Sequence, residues 1–498
     1  MEEVTIKNYK IAHEKIENLL SKQEIVSISF GAQTSKSLEN NGYKSFDYPF
    51  DLYFRNFRFS KYGVIQTGIT IVEKIDQFQY KAHPFIFYLF PNDESTQITI
   101  SSEVLDLKDI DWNKWMAEGI HFKNREQLDK YRQQIYNLPK ADQKKESFQE
   151  MFSKLDDVRQ EQIKVQLSKL NEFINNDQSE SEFNFDSAYP NIRRIYYTYL
   201  EEFHSDLIIL RPGQGNIAVK KSSLEEKKKY DDQINQEREE KLEEQKGISK
   251  TFDLIFKYCQ TQKIPLIMFN SLYELSQIIS YTVSFLPRSF VEFKQLLNNT
   301  IPSIIDIKYS MYSLHKQRNM EPSVYIENNQ NLFANHKVDL VQGVALNKLA
   351  QKTIDVAKIW IKDQQKIVNC QNMLFFDKSN WIVSLNPEQK DIVLIPDNKV
   401  LLSIISTENQ KFVNQKRYSI QKIFQELTKF HKKQGVYYQK SEAQGMIIVS
   451  IDLTKINDLE GYKKNLARLK DAKFDDYEDF YPFLLNQYEE QNKQLEKQ

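Results

Sequence analysis

The chain has 498 residues, 40% of them apolar and 13% aromatic, which is enough for real cores and excludes a disordered chain. Its 68 Lys and Arg against 69 Asp and Glu leave a net charge of −1, so any nucleic-acid surface must be a local patch. Only two cysteines occur, Cys259 and Cys370; this suits a reducing compartment and excludes a disulfide scaffold or a cysteine-built zinc site.

The charged N-terminus MEEVTIKNYK lacks a signal-peptide core, and no 18-residue apolar run exists, so a soluble chain with no membrane span is expected. Residues 9–20 read as a helix, and 25–35 (IVSISFGAQTS) as a strand that runs into small and polar residues. VIQTGITIVE at 64–73 and FIFYLF at 85–90 are rich in β-branched and aromatic residues and predict neighbouring strands. DIDWNKWMAEGIHF at 109–122 predicts a short helix stopped at Gly119 by a C-cap.

Residues 126–176 are polar and helix-prone, and RRIYYTYLEEFH at 193–204 is an aromatic-rich helix. The mixed-sign run 220–246 keeps no heptad and reads as a solvated connecting helix or linker. Beyond Gly247 the pattern predicts a helix, a buried strand at 265–269, a helix at 272–285 and a strand-like segment at 301–313. A long helix follows at 337–361, so an α/β domain is interrupted by the middle segment. The last part, with strands at 400–406 and 446–451 and helices at 419–430 and 459–469, fits a small ferredoxin-like module. The polar tail at 487–498 is expected to fray.

Three features carry possible chemistry on residue type alone. The stretch YFRNFRFSKY at 53–62 interleaves Arg55, Arg58 and Lys61 with aromatics; it suits single-stranded RNA, or else a segment with Phe inward and Arg in solvent. The seven histidines have no metal-ligand spacing. No acid-x-acid pair occurs between Glu24 and Glu39.

Taken in order, NYKIAHEKIENLLSKQEIVSISF, VIQTGITIVE, FIFYLFP, DIDWNKWMAEGI, IPLIMFNSLYEL, IPSIIDIKY and NMLFFDKSNWIVSLN resemble the poly(A)-specific ribonuclease family of DEDD deadenylases. The resemblance implies an α/β RNase-H-like exonuclease fold, an inserted helical nucleic-acid-binding-like domain of the Arg-x3-His type and a C-terminal α+β module like an RNA-recognition motif. The expected divisions are 1–145 and 247–385 for the nuclease-like domain, 146–220 for the insert, 221–246 for the charged helical linker, 390–475 for the RNA-recognition-like domain and 476–498 for the tail.

In that family four carboxylates from three segments hold two magnesium ions, with a histidine assisting the attacking water. The resemblance places the first acid pair on Ser29 and Gly31, the next acid on Glu274, and the histidine and aspartate of the last helix on Leu340 and Ala345. Asp306 matches a family aspartate outside the ligand set, and Asp339 lies beside Leu340. The Arg-x3-His helix retains Arg193, with Arg194 beside it, but has Tyr197 at the histidine position. Tyr437 and Tyr438 stand near the place where the family module stacks an aromatic on a cap base.

The sequence therefore predicts a pseudonuclease without cofactor, serving as a structural or RNA-binding subunit of an RNA-processing complex, small-RNA processing included. A protein partner such as an active nuclease, dimerisation through the nuclease-like domain, and a nuclear rather than cytoplasmic place are expected. The competing reading is an active magnesium-dependent 3′–5′ poly(A) exoribonuclease that relies on Glu274.

Overall fold

The computed structural model describes residues 2–22, 24–35, 47–53, 63–90, 110–136, 147–176, 182–185, 189–210, 217–316, 320–333, 337–340, 347–376, 379–397 and 399–406, with residues 100, 102–105 and 107–108. Beyond these it describes 436–440, 446–456, 458–467, 472–477 and scattered helical residues between 421 and 427 and between 481 and 490. The chain divides into two compact units, Met1–Glu126 with Lys246–Gln498, and Gln127–Gln245.

The first unit is built on a mixed sheet. At its centre the strand Ile25–Thr34 runs antiparallel to Val64–Lys74 and parallel to Leu266–Met268, which is followed by Ile304–Asp306. On the other side Val64–Lys74 turns back into Gln79–Tyr88. Two short strands share the far side of Gln79–Tyr88: Glu2–Val4 pairs with Phe85–Phe87, and Lys337–Leu340 with Gln79–Ala82.

Side chains alternate across a strand, so the two faces of this sheet differ in chemistry. Ile28, Phe30, Ile69, Ile71, Phe85 and Phe87 join the large core, which also takes in the helices Tyr9–Leu20, Ile248–Gln262 and Ser271–Thr282. The opposite face presents Ser29, Gly31, Gly68 and Thr70, and the helix Lys348–Ile367 lies over it. Between these layers nearly every residue of Val64–Lys74 is buried, Gln66, Thr67 and Thr70 included, because both faces of the strand are covered.

Several boundaries differ from the sequence reading. KVDL at Lys337–Leu340 alternates with period two and forms an edge strand, and the long helix begins only at Lys348. Residues 304–306 form a strand but Ile307–His315 is a helix, because the Asp306 side chain accepts from Lys308 N at 3.0 Å and caps it. Gly119 ends the helix Trp112–Glu118 with extended backbone rather than the left-handed turn of a C-cap. At Gly247 the left-handed conformation is required: φ is +49°, and a Cβ there would meet His121 O at 1.5 Å.

The unit Gln127–Gln245 includes the helices Phe148–Ser153, Asp157–Asn175 and Pro190–Phe203. These pack around Leu170, Phe185, Tyr196, Leu200 and Val219. It also contains a three-stranded antiparallel sheet in which Ile217–Lys220 lies between Glu182–Phe185 and Ile208–Leu210. Its strands of three or four residues are too short to establish a period, which is why the sequence suggested only helices. The charged run forms the helix Leu224–Lys246, of which Leu242 alone is buried.

The C-terminal module is a four-stranded antiparallel sheet ordered Val436–Lys440, Met446–Asp452, Lys399–Ser406, Ala472–Asp476. Leu402, Ile404, Ile447 and Val449 face its helical residues Ile423, Leu427, Tyr462 and Leu466. The segment set off as a tail from 476 is not polar at its start: Tyr477 and Tyr481 are buried in the main core.

Candidate active site

The site that the resemblance identifies lies where the central strand meets the helix Lys348–Ile367. Ser29 opposes Thr70, and Gly31 opposes Gly68. A Cβ added at Gly31 would stand 3.1 Å from Leu349 Cδ1 and 3.3 Å from Thr353 Cγ2. At Gly68 it would stand 3.0 Å from Leu349 Cγ. Thr353 Oγ1 and Thr70 Oγ1 are 2.7 Å apart, and Thr353 also donates to Ala350 O. Leu349 and Ala350 meet Ile86 from the next strand. The two glycines thus let the first turns of the helix settle onto the sheet, and the space in front of the strand is occupied by a leucine and a threonine methyl. Ser29 is 0% exposed, and its hydroxyl has no hydrogen-bond partner.

Glu274 reaches this region from the first turn of the helix Ser271–Thr282, where a negative charge suits the helix N-terminus. Lys352 Nζ donates to its Oε1 at 3.0 Å. Burial pushes the Glu274 carboxyl upward, and the Lys352 ammonium pulls against that shift. Lys352 also lies over the ring of Phe269, 5.7 Å from its centroid.

The other acids do not join it. Asp306 is a fastener: its Oδ1 accepts from Asn270 N and Lys308 N at 3.1 and 3.0 Å, and its Oδ2 from Phe375 N at 3.3 Å. Burial pushes its carboxyl up to about 6 despite those amides. Asp339 lies on the edge strand, separated from Ile25–Thr34 by two strands, and accepts from Gln79 Nε2 at 3.0 Å. Leu340 ends that same strand rather than lying on the last helix, and Ala345 is outside the described residues. The residues of the covering helix that pack over Gly31 and Gly68 are Leu349 and Thr353, with Ala350 beside Leu349 against Ile86. Their signal was present as the apolar stripe Leu349, Ala350, Ile354 of a helix placed too early.

Magnesium requires several charged oxygens converging in near-octahedral geometry. Here a neutral hydroxyl at Ser29, a glycine at 31 and one carboxylate paired with an ammonium stand at the first three acid positions, and Leu349 packs where a side chain at Gly31 would project. Among the described residues no three His, Cys, Asp or Glu side chains are grouped to share an ion. These residues do not fit a pair of magnesium ions.

The RNA-binding candidates divide. Arg55, Arg58 and Lys61 lie outside the described residues. Arg193 is half-buried and Arg194 exposed on the helix Pro190–Phe203, with Tyr197 packed against the core of that unit. Tyr437 is 58% exposed. Tyr438, one residue on, faces the helix side, where its hydroxyl meets that of Tyr462 at 2.5 Å and burial raises its phenol.

A mixed α/β sheet with helices on both faces, its central strand meeting the helix Lys348–Ile367, is the frame of a nuclease-type domain. The chain belongs to the CAF1 ribonuclease family: the family model described as CAF1 family ribonuclease matches residues 4–366. It is deadenylase-like by that membership. Among solved structures, the Mg2+- and Mn2+-bound form of Pop2p from S. pombe is similar at 10% identity, covering 75% of this chain and 98% of that one with a TM-score of 0.35. No curated protein matches the sequence. No helix among the described residues is long and apolar enough to cross a membrane.

Proposed function

We propose that this chain is a catalytically inactive member of its family, a pseudonuclease that serves as a structural subunit of an RNA-processing complex. The packing of Leu349 and Thr353 against Gly31 and Gly68 carries the reading. It supports a site rebuilt as core, with Lys352 supplying next to Glu274 the positive charge that an acid-lined groove would take from metal.

Contact with RNA is secondary in this reading. Phosphate contacts dominate RNA affinity, and the chain's charge is balanced overall. Of the two tyrosines near the cap-stacking position only Tyr437 is available. The partner is an RNA-processing protein, an active nuclease of the same fold included, held through the nuclease-like domain in the nucleus or cytoplasm.

The test is incubation of the purified chain with end-labelled oligo(A) and magnesium, alongside affinity purification from its own cells. Intact oligo(A) and co-purifying RNA-processing proteins are expected. Trimming that disappears in Glu274→Gln would overturn the inactive assignment, and purification without any RNA-processing protein would overturn the subunit assignment.

A further inference from the structure

The face of the C-terminal sheet turned away from its helices carries Leu401, Ser403 and Ile448, with Ser403 opposing Ile448 across the ladder. In an RNA-recognition module this is the face on which bases stack. Here these three residues are 2%, 0% and 1% exposed, and Leu401 and Ile448 belong to the same core as Phe30 and Phe87 of the nuclease-like sheet.

Their cover comes from the chain itself. The Tyr48 hydroxyl bonds Ser403 Oγ at 2.7 Å and donates to Tyr477 O at 3.0 Å. Its ring stacks on Tyr477 at 4.3 Å and on Phe50 at 5.3 Å between centroids. Trp381 donates from Nε1 to the Tyr477 hydroxyl at 2.8 Å, and its ring lies 4.7 Å from that of Tyr481. Tyr481 in turn donates to Asp391 Oδ2, whose carboxylate holds the buried Lys294 at 2.8 and 2.9 Å. Beyond the stack, Gln439 Nε2 donates to Asp47 Oδ1 at 2.7 Å.

We infer that the C-terminal module acts as an intramolecular clasp, docked on the nuclease-like body through the sheet face that an RNA-recognition module leaves open. That face reads no RNA in the folded chain; Tyr437, which shares it on the edge strand, is exposed, while Leu401, Ser403 and Ile448 at its centre are not. Stacked aromatics with every hydroxyl satisfied form a permanent seam rather than a transient contact. The inference holds whether or not the nuclease site is active.

Thiol reactivity in the full chain tests it. Cys259 and Cys370 are both buried, which keeps the background low. Ser403→Cys and Tyr437→Cys are made separately and treated with a maleimide under native conditions, with Leu401→Cys replacing the first if it does not fold. The S403C or L401C thiol is expected to react at least about a hundredfold more slowly than the Y437C thiol, because reaction waits for opening of the seam. Adding Tyr48→Ala is expected to raise the slow rate at least about tenfold. Similar rates at the two positions would show an open face and overturn the inference; an unchanged slow rate in the Tyr48→Ala background would overturn the assignment of Tyr48 as its cover.

Discussion

Lys352 Nζ lies 3.0 Å from Glu274 Oε1, so a buried acid beside the central strand is paired with a side chain of the helix that covers it. The ammonium supplies a positive charge beside a carboxylate that burial would otherwise penalise. The pair therefore explains how Glu274 is tolerated in the interior.

Lys352→Met leaves that carboxylate buried and uncompensated, at a cost of about 2 kcal/mol after discount for the partial exposure of the lysine. A buried carboxyl with a raised pKa keeps its proton to higher pH than in the unfolded chain, so the loss should be small near pH 4 and grow as pH rises. Urea unfolding at the two ends of that range measures it. Adding Glu274→Gln should recover most of the loss at high pH and almost none at low pH.

Gly31→Ala drives a Cβ against Leu349 and Thr353 and should cost about 1–3 kcal/mol by overpacking. In the Leu349→Ala background the same change should cost less than half as much, because the colliding methyl is gone. Chemical denaturation of the four chains reads the coupling. Equal costs in the two backgrounds would mean that the helix does not rest on this glycine.

Asp306 gives a second pH signature. Its carboxyl is pushed up to about 6 by burial, so the folded chain holds this proton longer than the unfolded chain does. Its contribution to stability is therefore full below the ordinary aspartate range, declines as pH rises toward about 6, and is constant above that. Asp306→Asn should be less stable overall, through imperfect pairing with the amides of Asn270, Lys308 and Phe375, and should lack that decline. Thermal unfolding from pH 4 to 7 compares the slopes.

Tyr437 and Tyr438 should separate cleanly. Tyr437→Ala removes an exposed ring and should change stability by less than about 0.5 kcal/mol. Tyr438→Phe leaves the Tyr462 hydroxyl without its partner and should cost about 1 kcal/mol. Guanidinium unfolding of both variants checks the contrast.

Much of this was legible in the sequence. The helix 9–20, the central strand with Ser29 and Gly31, and the absence of an acid pair there needed only residue type and spacing. The covering helix was misplaced because KVDL, an alternating tetrapeptide, sits upstream of a genuine helical stripe, and period-two runs of four residues merge into a longer pattern. The roles of Leu349 and Thr353 were invisible for a different reason. They look like ordinary core residues, and their meaning lies in the two glycines they meet across the sheet. The seam around Tyr48 was equally hidden, since its members lie hundreds of residues apart and nothing local distinguishes a buried tyrosine from an exposed one.

Titration of the full chain with Mn2+, followed by the paramagnetic signal of the free ion, tests the central claim most directly. The rebuilt site predicts no saturable binding beyond weak surface association, with the same curve for wild type and Glu274→Gln. Tight uptake of two ions per chain, lost in Glu274→Gln, would contradict it and return the protein to the active nucleases.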